Sequence, residues 1–133
     1  MVILVDRYNL SDDIYEIVFA TPQQKIVAKV LIAYIKKKGG EVTKPEMSEF
    51  ATELHEGKLV TEIEDPKFAG KKVKLSYNKR QFYDRILTPM RSMGLMDYDL
   101  YRKKYKISAE FKGLVDSIGE MWLNEVKKPI KNK

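Results

Sequence analysis

Cysteine is absent from this chain of 133 residues, and histidine occurs once, at His55. The lack of thiols excludes disulfides, thiolate metal sites and cysteine nucleophiles. A single imidazole cannot build a zinc site, and a carboxylate-only magnesium site stays open with nothing pointing to one, so neither a metal nor a cofactor is expected. There is no phosphate-cradling glycine loop and no histidine-paired serine, and the adjacent acids Asp12 and Asp13 read as helix-cap charges. An enzyme is therefore not expected. Long apolar runs are missing too: MVILV is far too short to span a bilayer, and VAKVLIAYI is interrupted by Lys29. The N-terminus has neither the positive lead nor the small-residue cleavage site of a signal peptide, so the expectation is a soluble, cytoplasmic protein.

What the chain does have is a sizeable apolar fraction and a concentrated positive charge. Its 44% hydrophobic content suits a single domain with one core over residues 1–133. The net charge is +6, and it is not evenly spread. Between Lys71 and Lys106 lie eleven Lys or Arg and three Asp, which makes +8 there and leaves −2 for the remainder. A basic block of this kind suits a polyanion, since neutralising phosphates releases counterions. A solvated lysine-rich surface is the bland alternative.

Local patterns divide the chain into elements. Residues Val2 to Val5 read as an extended lead-in. Ser11 can cap a short helix through Asp12, Asp13 and Ile14, while a strand over Ile14 to Phe19 is the competing reading. Thr21-Pro22 pairs a capping hydroxyl with proline at the first helical position. Ile26, Val27, Val30, Leu31 and Tyr34 then recur at helical spacing until Gly39-Gly40. Thr43 opens a capping box closed by Glu46, with Met47, Phe50, Ala51 and Leu54 on the apolar face and Glu46, Glu49, Glu53 and Glu56 outside. His55, near the end of that helix, is expected to be structural or solvent-exposed. From Gly57 to Leu75 the pattern is loop-like, apart from Lys71, Lys72 and Lys74 alternating with apolar residues as in a short strand.

The third helix spans 76–93, with Phe82, Ile86, Met90 and Met93 on its buried face. Tyr77, Arg80, Gln81, Asp84, Thr88 and Arg91 lie opposite. Pro89 must kink or restart it. After Gly94, the stretches Leu95 to Asp99 and Lys104 to Ser108 read as paired strands around a charged tip. Tyr98, Tyr101 and Tyr105 are expected to flank that pair. Ser108 caps a last helix over 109–127, whose stripe of Phe111, Leu114, Val115, Ile118, Met121, Trp122 and Val126 is almost unbroken. Leu114, Ile118 and Trp122 are candidates for a homodimer contact; packing of the stripe over the first main helix is the competing expectation.

The order of these elements, with MRSMGLMDYD and KKYKIS as landmarks, resembles a winged helix-turn-helix domain of archaeal and bacterial regulators. LSYNKRQFYDRIL is similar to the winged-helix modules of archaeal replication initiators. The likeness covers Thr21 to Ser108, leaving an N-terminal extension (1–20) and an appended C-terminal helix. It implies a mainly α fold with a small β-hairpin, an α+β class. It also implies a DNA-binding protein, a dimeric nucleoid-associated transcription regulator with its third helix in the major groove of double-stranded DNA. By that resemblance Tyr77, Lys79, Arg80, Gln81 and Asp84 would face bases, with Tyr83 at the margin. Arg80 suits guanine and Gln81 adenine. Arg91 would meet phosphate, and Arg102, Lys103 and Lys104 would form the basic wing at 100–104. Lys71, Lys72 and Lys74 would add an electrostatic rim. No membrane or small-molecule partner is implied. The acidic second helix and the long linker before the third suit an alternative: a protein-interaction module, or a replication- or chromatin-associated factor without sequence preference.

Overall fold

The computed structural model of the chain describes residues 5–62 and 72–130. The lead-in Val2 to Leu4 and the lysine Lys71 lie outside them. A short helix α1 (Ile14–Val18) comes first, and the strand alternative for this segment is overturned. The Asp13 carboxylate accepts from the Tyr15 N–H at 2.9 Å, while Ser11 Oγ takes the Asp13 N–H at 3.1 Å. Helix formation thus rests on a cap two residues later than Ser11. Two ion pairs, Lys29–Asp13 at 2.8 Å and Lys25–Glu16 at 2.6 Å, tie α1 to helix α2 (Pro22–Lys37).

Helix α2 starts as its sequence dictates: Thr21 Oγ1 accepts from Gln24 N at 3.1 Å, with Pro22 in the first turn. At its other end Gly39 and Gly40 take positive φ (86° and 94°), and Gly40 N–H donates back to the Ile35 carbonyl at 2.9 Å. The chain then forms a strand the pattern did not reveal, β1 (Glu41–Thr43). Three residues between a glycine stop and a helix cap are too few to show a period of two. Helix α3 (Lys44–His55) follows with its capping box complete: Glu46 N–H reaches Thr43 Oγ1 at 3.2 Å, and Thr43 N–H reaches Glu46 Oε1 at 2.9 Å. The second of these bonds is the main reason the Glu46 carboxyl is held below its ordinary range.

The long linker is not a plain loop. Strands β2 (Leu59–Glu62) and β3 (Lys72–Leu75) pair antiparallel, Leu59 opposite Leu75 and Glu62 opposite Lys72. The third helical element follows in three segments: α4 (Lys79–Phe82), a π-helical turn (Tyr83–Leu87) and α5 (Thr88–Ser92). All the junction residues keep right-handed helical dihedrals, so the axis continues. In the turn the Thr88 N–H bonds the Tyr83 carbonyl, one residue further back than in an α-helix. Pro89 lies in the first turn of α5, directly after the π-turn, so the α-helix restarts there as the proline requires while the element stays continuous. The inserted residue also rotates Leu87 into the core, where Phe82, Ile86 and Met90 already lie, while Met93 is only half-buried.

Strands β4 (Met96–Asp99) and β5 (Lys104–Ile107) form the expected hairpin. β1 pairs with β5, giving a three-stranded antiparallel sheet in the order β1-β5-β4. The core lies between this sheet and the helices. α2 contributes Val27, Ala28, Leu31 and Ile35; α3 contributes Met47, Phe50, Ala51 and Leu54; Val42, Met96 and Tyr105 come from the sheet. Rings of Tyr34, Phe50 and Phe82 run through it, with centroids 5.1 and 5.6 Å apart. The molecule is thus mainly helical with a small antiparallel sheet, an α+β arrangement. Helix α6 (Glu110–Lys127) closes the chain and contributes no buried residue. The expectation that its stripe packs over α2 does not hold, since Lys112 to Lys127 stay exposed throughout.

Candidate nucleic-acid interface

Several tethers hold the start of α4. Asn78 Oδ1 accepts from Gln81 N at 3.1 Å, capping the helix. His55, exposed at the end of α3, accepts the Lys79 N–H through Nδ1 at 3.1 Å, so one of the orphan amides of α4 is satisfied from the neighbouring helix. Tyr77 N–H donates to the Leu54 carbonyl at 3.1 Å, and Gln23 Nε2 to the Ser76 carbonyl at 3.0 Å. His55, expected to be structural or solvent-exposed, is exposed and also bonds the start of α4, a contact that only the fold reveals.

These tethers correct one candidate. Tyr77 does not face outward: it is buried, 7% exposed, because the bond to Leu54 turns it into the core one residue before the cap. Lys79 is half-buried, its Nζ donating to Thr52 Oγ1 at 3.0 Å. Tyr83 is also half-buried, edge-on to Phe82 at 5.5 Å, and burial raises its phenol pKa. Arg80, Gln81, Asp84 and Arg91 are exposed as expected. Arg80 and Asp84 approach at 3.8 Å with both side chains largely in solvent, a pairing worth little. Arg85 joins this face. Its omission from the candidates follows from assuming a regular helical period, which the π-turn interrupts.

Opposite strands set Tyr98 against Tyr105, ring centroids 4.5 Å apart. The Arg91 guanidinium lies over both rings, at 5.3 and 6.0 Å from their centres. This contact joins the end of α5 to the outer part of the β4–β5 hairpin. At the hairpin tip Asp99 Oδ1 accepts from the N–H groups of Tyr101 (2.9 Å) and Arg102 (3.1 Å), and Lys103 adopts φ 52°. Those bonds, the one from Arg102 foremost, hold the Asp99 carboxyl below its ordinary range. They also leave Tyr101 98% exposed and project the tip outward.

Glu41 on β1 was not among the candidates, yet it lies beside this tip. It accepts from Arg102 Nη2 at 3.1 Å and from Lys104 Nζ at 3.3 Å. Lys104 first and then the charge of Arg102 lower its pKa. Two of the three basic residues at the tip are thus partly neutralised by an acid 61 and 63 residues away in sequence, while Lys103 has no ion pair among the described residues. Of the rim lysines, Lys72 and Lys74 lie on β3. The dimer candidates Leu114, Ile118 and Trp122 are 41, 55 and 69% exposed.

Among the described residues no cluster of three His, Cys, Asp or Glu could hold a metal ion, and no helix is long and apolar enough to cross a membrane. What the surface offers is a ridge of helical donors beside a basic hairpin tip. No family model, no curated protein and no solved structure matches this chain.

Proposed function

We propose that the chain is a duplex-DNA-binding domain of the winged helix-turn-helix kind. In this reading the helical element 79–92 enters the major groove and the β4–β5 tip is a wing on the backbone or minor groove. The observation that carries the reading is the shared placement of two donor sets. Arg80, Gln81 and Arg85 line the exposed side of a helix whose other side is buried, and Arg91 fastens that helix to the hairpin bearing Arg102 and Lys103. A helix held by its neighbours can present side chains to base edges without a large ordering cost. Arg80 and Arg85 would read guanine and Gln81 adenine, while the tip lysines contact phosphate.

The test is selection of bound fragments from a random duplex pool, followed by titration at several salt concentrations. An enriched motif and a steep salt dependence support the reading; no enriched motif overturns sequence-specific binding. Replacing Arg80 by Ala should weaken binding to the enriched site by roughly 1–3 kcal/mol and relax preference at one base pair. Unchanged titrations would remove Arg80 from the base-reading set.

One observation favours a second reading, a protein-interaction module. Helix α3 carries Glu46, Glu49 and Glu53 on the side towards Tyr34 of α2, with Glu56 at its C-cap, an acidic surface that repels duplex phosphates and suits a basic partner. In that reading affinity for DNA is that of any basic surface, with no preferred site.

A further inference from the structure

Helix α6 covers 18 residues, about 27 Å at the α-helical rise. Its base is fixed to the domain: Ser108 N–H donates to the Leu95 carbonyl and Phe111 N–H to the Gly94 carbonyl, both at 3.0 Å. From there the helix leaves the core with its apolar face uncovered. Leu114, Val115, Ile118, Met121, Trp122, Leu123 and Val126 are 41 to 69% exposed. Together they present on the order of 700 Å² of side-chain surface, close to the ~800 Å² per partner of a standard interface. Gly113 and Gly119 lie inside the helix with open space around them. Each costs about 1 kcal/mol relative to Ala, so this helix needs its apolar face covered to be stable.

The spacing of the apolar positions indicates what covers it. Around the midpoint between Ile118 and Gly119 the sequence is symmetric: Phe111, Leu114, Val115 and Ile118 on one side mirror Val126, Leu123, Trp122 and Gly119 on the other. Two apolar side chains lack an apolar mirror: Met121, opposite Asp116, and Ile118, opposite Gly119. Charges near the two ends are complementary under the same symmetry: Glu110 mirrors Lys127 and Lys112 mirrors Glu125. An antiparallel pair sets each of these acids opposite a lysine and opposes the helix dipoles; a parallel pair sets like charges together. A membrane surface fits less well, because residues 110–128 carry four acids against three lysines where an interfacial helix is rich in Lys and Arg.

We propose that α6 pairs antiparallel with α6 of a second copy of this chain, on a two-fold axis at Ile118–Gly119. Phe111 packs against the second copy's Val126 and Val115 against its Trp122. Ile118 meets its own counterpart over Gly119, whose missing side chain allows the close approach. Each domain then sits at an opposite end of the helix pair. The proposal rests on α6 alone and holds whether or not the domain binds DNA.

The full chain should sediment as a dimer, and emission of Trp122, its sole tryptophan, should shift to the red on dilution as the ring becomes solvated. Ile118→Asp should be monomeric at concentrations where the wild type is dimeric. Its domain should unfold as before, since α6 adds nothing to the core. The absence of native cysteine makes orientation directly readable. Ile118→Cys should form a disulfide-linked dimer with itself. Phe111→Cys and Val126→Cys should each fail to self-link, being about 22 Å from their own copies, yet link when mixed. A monomeric wild type at all concentrations overturns the proposal, whether Trp122 proves solvated or buried. Self-linking by all three variants overturns it as well, because that is the pattern of a parallel pair.

Discussion

Glu41 sets how much positive charge the hairpin tip can offer. Its carboxylate already occupies donors of Arg102 and Lys104, so a phosphate must compete with it. Glu41→Gln should therefore tighten duplex binding on every sequence and steepen the dependence on salt by roughly one unit of slope, as a further cation becomes available. Anisotropy titrations at two or more ionic strengths measure both; a loss of affinity would mean that Glu41 instead shapes the tip for binding. Tyr77 shows how one hydrogen bond decides a residue's side. Its spacing from Arg80 and Asp84 on a helical wheel places it outward, but it precedes the cap, where no helical wheel applies.

The element carrying the candidate interface owes its geometry to Pro89. The π-turn over Tyr83–Leu87 adds one residue to a turn, so Leu87 is buried and Arg85 exposed. Leu87→Ala should cost about 2–5 kcal/mol in urea unfolding, as much as Ile86→Ala, because both side chains are close-packed in the core. A regular helix would turn Leu87 away from Phe82 and make its replacement nearly neutral. The core residues Phe82, Ile86 and Met90 were legible from spacing alone. Arg85 was not, since a change of helical period carries no compositional mark beyond the proline itself. The hairpin β2–β3 was half legible: the alternation around Val73 suggested a strand, while its partner at Leu59–Glu62 passed for linker.

At the scale of the molecule, the three-stranded sheet packs with α2, α3 and the helical element 79–92 around the core of the described residues, and Gly94 is where the last helix is attached. Its φ is +83°, and an added Cβ would lie 2.8 Å from Phe111 N and 2.9 Å from the Glu110 carbonyl carbon. Gly94→Ala should destabilise the fold by at least about 1–2 kcal/mol from backbone conformation alone, with further loss from the contact with α6. Thermal unfolding measures the loss; an unchanged midpoint would show that the base of α6 is not held there. The apolar stripe of α6 was plain in the sequence. That it stands clear of α2 was not, because an apolar face is the same whether a domain or a second chain covers it.

The sequence by itself determined the caps of α2 and α3, the glycine stops, most of the helical faces and the location of the positive charge, while the caps expected at Ser11 and Ser108 fall instead at Asp13 and Ala109. Each of these is a local matter of hydrogen bonding, backbone freedom or periodicity within a few residues. Only the tertiary structure decided that β1 joins the sheet, that His55 caps α4, that Glu41 faces the basic tip and that Tyr77 turns inward. Those depend on partners between 23 and 65 residues away, which no local pattern encodes.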